Sequence, residues 1–299
     1  MFSITWASPK AAKLRAMSLI DAASLASGID DPNLVICDCR FELGDPSWGS
    51  RRHAEASLPG AIYVDLDRDL SGPIPPMGIS RSGGRHPLPR LGSFRERMTL
   101  WGMGTDTRVV AFDHRGGPFA ARLWWMLRAA GYQAVSVLDG GIDAWTQAGL
   151  ALEPGRIIEG YEGRSDLPIS DGPWPGTIDA STIAGKLETL CLFDARAPER
   201  FSGEVEPLDR FGGHIPGAHN TPFVDNLVDG RFAAPGVLRE RFEAVFGDSP
   251  VQSRVAYCGS GVTACHNLLA LEIAGFEPAM LYPGSWSDWI SDEGRPREP

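Results

Sequence analysis

Arg254-Val-Ala-Tyr-Cys-Gly-Ser-Gly-Val-Thr-Ala-Cys265 is the stretch of sequence that decides the fold, because it runs from a predicted strand through a glycine turn into a predicted helix. Its first four residues are β-prone, and apolar residues after it recur at helical spacing as far as Gly275. Gly259 and Gly261 allow a tight curl in which backbone N–H groups point inward. Cysteines at a helix N-terminus have lowered pKa values, and we therefore expect the Cys258 thiolate to act as a nucleophile.

The four other cysteines are predicted to be structural. Cys37, Cys39 and Cys191 lie in short apolar runs that are typical of buried parallel strands. Cys265 lies one residue past the loop, where a core position is expected and a resolving or redox-sensing role is the alternative. The five cysteines have neither disulfide-framework nor zinc-ligand spacing, so we expect no metal, no organic cofactor and a reducing compartment, by default the cytoplasm.

Length and composition limit the class of protein. The 299 residues suffice for two domains, and 43% hydrophobic with 22% charged residues is typical of a globular protein. A net charge of −10 argues against a nucleic-acid or anionic-membrane partner, and no apolar run approaches the roughly 18 residues of a membrane span. Residues 1–17 are basic and contain no acid, so we expect a disordered extension or a start at Met17, with an organellar transit peptide as the alternative.

The chain repeats itself. Ser57-Leu-Pro-Gly-Ala-Ile62 and His214-Ile-Pro-Gly-Ala-His219 are the same turn used twice. Further on, Arg108-Val-Val-Ala-Phe-Asp113 matches Ser253-Arg-Val-Ala-Tyr-Cys258. Within each copy, strand-like runs alternate with helical patterns, which predicts an α/β fold of two tandem domains, each a parallel sheet flanked by helices.

The two copies have different roles. We place the first domain at residues 18–152, a Gly/Pro-rich linker at 153–176 and the second domain at 177–299. The first contains an insertion, residues 71–89, that is expected to be a surface loop, either without a role or covering the active site. The first domain has Asp113 where the second has Cys258. We therefore expect thiol chemistry in the second domain alone, with the first domain completing the cleft.

With these motifs the sequence resembles the tandem-rhodanese sulfurtransferases, and Cys-Gly-Ser-Gly-Val-Thr-Ala at 258–264 is similar to the active loop of the 3-mercaptopyruvate sulfurtransferases. The resemblance implies that Cys258 takes sulfur from 3-mercaptopyruvate as a persulfide, with release of pyruvate. The sulfur then passes to thioredoxin, a small thiol or cyanide. The active-site loop implied in this way consists of Cys258, Gly259, Ser260, Gly261, Val262 and Thr263.

The loop also bears on the sulfur donor. Thiosulfate is a dianion, and enzymes that use it typically hold cationic side chains within the loop itself, beside the cysteine, where this chain has Gly259 and Ser260. A neutral loop suits a monocarboxylate whose charge is bound by arginine elsewhere. By resemblance, Arg200 is the substrate arginine and Arg210 is the candidate for a second one, although either could be a solvated surface residue.

The proton pathway is less well defined. Ser260 either donates a hydrogen bond to the reacting groups or keeps the turn tight. Thr263 either donates a hydrogen bond in the same way or caps the following helix. In the family, such a serine forms a relay with a histidine and an aspartate of the first domain. Here Ser57 stands where relatives have that histidine, with His53 and Asp45 upstream as possible substitutes. We therefore expect the relay to be incomplete, with water or Ser260 delivering the proton.

Three alternatives to this function differ in what they require of the loop and of the donor. A cysteine-based phosphatase would need an arginine six positions after the cysteine, where this chain has Ala264. Thiosulfate as the main donor is the alternative within the enzyme class, and a non-catalytic binding module is the alternative outside it.

Trp289 repeats a tryptophan of the first copy and is expected in the core, whereas Trp286 either packs or lines the cleft.

Overall fold

The computed structural model describes residues 18–74, 82–155 and 172–299. Its first sheet has the strand order β1-β5-β4-β2-β3, and all neighbouring pairs are parallel. The strands are β1 (Leu19–Ile20), β2 (Leu34–Asp38), β3 (Ile62–Tyr63), β4 (Arg108–Phe112) and β5 (Val135–Leu138). The helices of this half are α1 (Ala22–Ser27), α2 (Trp48–Glu55), α3 (Leu91–Leu100), α4 (Pro118–Ala129) and α5 (Gly141–Gln147).

The second half repeats this plan with a smaller sheet of order β11-β10-β6-β7, again parallel throughout. Its strands are β6 (Cys191–Asp194), β7 (His219–Asn220), β10 (Arg254–Tyr257) and β11 (Met280–Leu281), and β8 (Leu227–Val228) pairs with β9 (Arg231–Phe232) in an antiparallel hairpin. The helices are α6 (Ala180–Ala184), α7 (Pro198–Phe201), α8 (Pro235–Phe246), α9 (Thr263–Ile273) and α10 (Ser285–Trp289). The predicted α/β fold of two parallel sheets flanked by helices is confirmed.

Strands β4 and β10 hold equivalent places in the two sheets. Strand β4 lies between β5 and β2, and β10 lies between β11 and β6. Each is buried along most of its length because it carries apolar side chains on both faces. Asp113 and Cys258 directly follow these strands, at the carboxyl edge where ligands bind in α/β folds. The two residues that the repeat aligns thus occupy matching sites.

Helices α4 and α9 pack against each other across the domain boundary. Apolar side chains from both helices join one core cluster that also contains Cys258 and Cys265. At the carboxyl ends of the helices, Arg128 pairs with Glu272 at 3.0 Å. Because both helices begin at the loops after β4 and β10, those loops meet at the opposite end of the interface.

The predicted extension at 1–17 lies outside the described residues, as do 75–81 of the insertion and 156–171 of the linker. The predicted domain bounds therefore stay a prediction. Within the ranges that are described, no helix combines the length and apolar character needed to cross a membrane.

Candidate active site

Cys258 lies between the end of β10 and the start of α9, and its side chain is only 2% exposed. Its Sγ accepts the N–H of Gly261 at 3.1 Å, and its own N–H donates to Ser285 Oγ at 3.0 Å. Gly261 has a φ of +76°, and a Cβ there would stand 2.3 Å from the carbonyl oxygen of Pro283. Glycine is therefore required at this position to turn an N–H towards the sulfur.

The loop of the first domain shows what this backbone path can bind. The Asp113 carboxylate accepts four backbone N–H groups at 2.8–3.1 Å, two on each oxygen. Gly116 has a φ of +78°, close to that of Gly261 three residues after Cys258. A loop with this course surrounds an anion with N–H donors, so an anionic sulfur on Cys258 would find the same environment.

A histidine and an aspartate of the first domain do reach Ser260, so the expectation that the first domain brings no histidine to this serine was wrong. His86 Nδ1 lies 2.8 Å from Ser260 Oγ, and His86 Nε2 lies 3.3 Å from Asp67 Oδ1. Burial lowers the pKa of His86, although the Asp67 carboxylate opposes the shift. The ring is therefore neutral at pH 7, with its hydrogen on Nε2 towards Asp67, and Nδ1 accepts the Ser260 hydroxyl.

Neither His53 nor Asp45 substitutes for the missing histidine. His53 Nδ1 lies 3.0 Å from Asp38 Oδ2, which also accepts the Ser57 hydroxyl at 2.8 Å, and these groups form a buried cluster inside the first domain. Asp45 forms an exposed pair with Arg51. The sequence signal that could have identified the correct histidine was the position of His86 near the end of the Gly/Pro-rich insertion.

The described end of that insertion, residues 82–89, docks on the second domain. The N–H groups of Gly83 and Arg85 donate to Asp288 Oδ1 and Ser287 Oγ, both at 2.9 Å. A Cβ on Gly84 would stand 2.2 Å from the carbonyl oxygen of Gly284, so the backbones approach too closely for any side chain. These contacts hold Arg85 and the adjacent His86 over the cysteine loop. Of the two predicted roles, the described part of the insertion has the covering one.

Two guanidinium groups stand over the loop residue beside Cys258. Built on Gly259, a Cβ would lie 3.1 Å from Arg85 Nη2 and 3.4 Å from Arg200 Nη1. Asp209 bridges them, with Oδ1 at 2.6 Å from Arg85 and Oδ2 at 3.2 Å from Arg200. Burial raises the pKa of Asp209 and the two arginines oppose that shift. Arg200 also binds Glu206 at 2.8 Å.

Arg210 is not brought to this site. Its side chain is 68% exposed and pairs with Glu293 at 2.8 Å on the surface. Arg210 directly follows Asp209 in the sequence, but Asp209 binds Arg200 at the site whereas Arg210 binds Glu293 on the surface. The second guanidinium near Cys258 belongs instead to Arg85, from the other domain.

A pocket of about 270 Å³ opens between these groups. Cys258, Gly259, Ser260, Val262 and Thr263 line its floor together with both guanidinium groups. Its apolar wall is formed mainly by Phe41, Phe119 and Phe223, two of them from the first domain. A small organic acid would fit with its charge at the arginines and its apolar part on the rings.

Three further residues are in the core. Burial raises the pKa of Cys265 to about 12, and its protonated thiol donates to the Gly261 carbonyl at 3.4 Å. Trp286 and Trp289 are fully buried, and Trp286 packs under the Arg196 guanidinium at 4.9 Å instead of lining the pocket. Cys265 thus buttresses the loop as a thiol, a state in which it is a poor nucleophile.

The sequence profile of the rhodanese-like domain family matches this chain twice, over residues 21–148 and 179–292. The protein therefore belongs to the rhodanese family, as two tandem domains. It is 47% identical to a probable 3-mercaptopyruvate sulfurtransferase of Pseudomonas aeruginosa, over 93% of this chain and 96% of the relative. A putative thiosulfate sulfurtransferase of Mycobacterium tuberculosis is 39% identical, over 94% and 97% respectively.

Solved structures give the same picture. The 3-mercaptopyruvate sulfurtransferase from Leishmania major superimposes with a TM-score of 0.78 at 30% identity, covering 91% of this chain and 73% of that one. The Escherichia coli 3-mercaptopyruvate sulfurtransferase superimposes with a TM-score of 0.70 at 30% identity, covering 90% of this chain and 99% of the other.

Proposed function

We propose that this protein is a 3-mercaptopyruvate sulfurtransferase that carries sulfur on Cys258 and releases pyruvate. One observation carries the choice of donor: two guanidinium groups, of Arg200 and Arg85, stand over the neutral loop residue Gly259, next to the nucleophile. Paired guanidinium groups suit the carboxylate of a 2-oxo acid, because arginine binds carboxylates in a bidentate manner. The names and high coverage of the relatives from P. aeruginosa and E. coli support the same donor.

In the first half-reaction the Cys258 thiolate attacks the sulfur of the bound donor. A sulfur–sulfur bond forms, the carbon–sulfur bond breaks, and its electron pair passes to the three-carbon fragment, which leaves as the enolate of pyruvate. The donor's thiol proton is taken by Ser260 as its own proton moves to His86 Nδ1, and a proton then returns to the enolate carbon. The N–H of Gly261 stabilises negative charge on the sulfur.

In the second half-reaction a nucleophilic acceptor attacks the outer sulfur, the sulfur–sulfur bond breaks, and its electron pair leaves on Cys258 as the thiolate. Thioredoxin, a small thiol or cyanide are the acceptors that we propose. All five cysteines are free thiols, which agrees with action in a reducing compartment such as the cytoplasm.

The relative from M. tuberculosis named as a thiosulfate sulfurtransferase makes thiosulfate the second candidate donor. Asp209 argues against it, because its carboxylate already lies between the two guanidinium groups and would repel a dianion more strongly than a monoanion. Turnover of both donors should be compared with cyanide as the acceptor. We expect a higher kcat/KM for 3-mercaptopyruvate, and a clear preference for thiosulfate would overturn the assignment.

Intact-protein mass spectrometry tests the chemistry against a binding module without catalysis. After exposure to 3-mercaptopyruvate, wild-type protein should gain one sulfur atom, Cys258→Ser should gain none, and the control Cys265→Ser should gain one like the wild type. Sulfur that still appears on Cys258→Ser, or fails to appear on wild type, would contradict the mechanism.

A further inference from the structure

Arg122 of helix α4 is a fully buried arginine at the junction of the two domains. Its Nη1 donates to the carbonyl of Gly261 at 3.0 Å, within the cysteine loop. Its Nη2 donates to the carbonyls of His86 at 3.2 Å and Leu70 at 3.3 Å. One guanidinium of the first domain therefore holds the loop of Cys258 together with both ends of the insertion that carries the relay histidine.

Among the described residues, the charge of Arg122 is met by three backbone carbonyl oxygens and by no carboxylate. No acidic side chain in the described ranges forms an ion pair with it, and its Nε has no hydrogen-bond acceptor there. Burial lowers the pKa of Arg122, and the neighbouring side chains of Cys265 and Cys258 oppose that shift. Arginine nevertheless stays protonated, and a buried cation without a partner is costly. The charge lies behind the loop of Cys258, because Arg122 binds the carbonyl of the same Gly261 whose N–H donates to Cys258 Sγ.

The inert loop provides a comparison within the same molecule. Gly116, the counterpart of Gly261, accepts a hydrogen bond from His266 Nε2 at 3.0 Å, reaching across from the second domain. Burial lowers the pKa of His266 to about 4, so this donor is neutral at pH 7. Each domain thus binds the equivalent glycine carbonyl in the loop of the other domain. A cation binds the loop of Cys258, and a neutral ring binds the loop of Asp113.

The difference matches the charge that each loop must hold. Asp113 already satisfies its backbone donors with a carboxylate. The loop of Cys258 must instead stabilise an anionic sulfur on a side chain that is neutral when protonated. Arg122 binds the residue whose N–H donates to that sulfur, and a buried positive charge favours anionic groups in its surroundings.

We propose that Arg122 is a positioning residue for sulfur transfer: it fixes Gly261 with its N–H towards Cys258 Sγ, holds His86 against Ser260, and stabilises the thiolate and persulfide of Cys258. The persulfide part rests on the proposed function. The thiolate part does not, because it concerns the free enzyme and can be measured without a sulfur donor.

The test compares Arg122→Gln and Arg122→Lys with the control Arg128→Gln. Arg128 lies on the same helix and is also buried, but it pairs with Glu272 at the other end of the interface. For each protein, the rate of Cys258 alkylation by iodoacetamide is measured against pH, with the site located by peptide mass spectrometry. The kcat and KM for 3-mercaptopyruvate are measured in parallel, and circular dichroism checks the fold.

For Arg122→Gln we expect the midpoint of the alkylation profile to move up by about one pH unit or more, with kcat reduced about tenfold or more. Arg122→Lys keeps the charge but has one nitrogen for three carbonyls, so its midpoint should stay nearer to wild type while its kcat falls. Arg128→Gln should match wild type in both. A purely structural role would lower kcat without moving the midpoint.

Folded Arg122→Gln with the wild-type midpoint would overturn the proposal. If that variant does not fold, Arg122→Lys decides, because wild-type values of both kcat and midpoint would exclude a need for the guanidinium. A shifted midpoint together with no turnover of 3-mercaptopyruvate by any protein, wild type included, would refute the proposed function and support the role of Arg122 in stabilising the thiolate.

Discussion

His86 Nδ1 lies 2.8 Å from Ser260 Oγ, and this hydrogen bond joins the two domains beside Cys258. The domain that has Asp113 at the position of Cys258 thereby contributes a histidine to the loop of the other domain. It provides Arg85 to the pocket as well. The candidate active site is therefore lined by both domains, although Cys258 belongs to the second alone.

The first prediction concerns the relay. Replacing His86 by Gln preserves approximate size but removes the proton acceptor, and kcat for pyruvate release should fall by about 100-fold. The control is His53→Gln, which alters a buried histidine bonded to Asp38. It should keep kcat within about twofold and lower the free energy of unfolding by about 1–3 kcal/mol. A larger loss of kcat in the control than in His86→Gln would contradict the assignment.

The second prediction concerns donor binding. Arg85→Gln removes one of the guanidinium groups beside Gly259, so kcat/KM for 3-mercaptopyruvate should fall by about 10–100-fold, the usual effect of losing a charge-assisted hydrogen bond. Arg210→Gln is the matched control, since that arginine is on the surface with Glu293. Steady-state kinetics on both variants should show an unchanged kcat/KM for the control. Equal losses in the two would show that Arg85 does not bind the donor.

Asp209 gives a third prediction, on selectivity. Asp209→Asn removes the negative charge between Arg85 and Arg200 and leaves the side chain nearly the same size. The ratio of kcat/KM for thiosulfate over that for 3-mercaptopyruvate should rise, because the dianion gains more from the extra positive charge. The measurement is a competition between the two donors with cyanide as acceptor at fixed ionic strength. A ratio that stays constant or falls would rule out this electrostatic effect.

A fourth prediction links pH to stability through His266. Its pKa is lowered to about 4 by burial, whereas in the unfolded chain it is near 6.5. As the pH falls through this window the unfolded state binds the proton first, so stability is lost between about pH 6.5 and 4, by about 3 kcal/mol in total. His266→Gln can keep the donor to Gly116 without titrating. Urea unfolding should show a shallower loss in this variant, whereas identical slopes would count against the assignment.

The sequence predicted the features that depend on local patterns. The β-prone run before Cys258, its glycines and the helical spacing after it are neighbours in the chain, and the repeat aligned Asp113 with Cys258 without knowledge of any contact. Both sheets and the family were therefore foreseen. The roles of the site residues rest on the experiments above.

The groups that come from the first domain could not be predicted in this way. His86 approaches Ser260 only because the insertion crosses the domain boundary, and no periodicity in the sequence distinguishes it from His53. The error on Arg210 has the same origin, because only the packing shows that Asp209 binds Arg200 at the site while Arg210 binds Glu293 on the surface. Both depend on long-range packing, which a single sequence does not reveal.

The pair of crossing contacts, Arg122 to Gly261 and His266 to Gly116, has a consequence for the tandem arrangement itself. Two identical subunits related by a twofold axis must present the same residue at both ends of such a contact. Their two loops would then be electrostatically equivalent, whatever residue they used. Joining the two copies in one polypeptide removes that constraint, so that one loop can have a cation behind it and the other a neutral group.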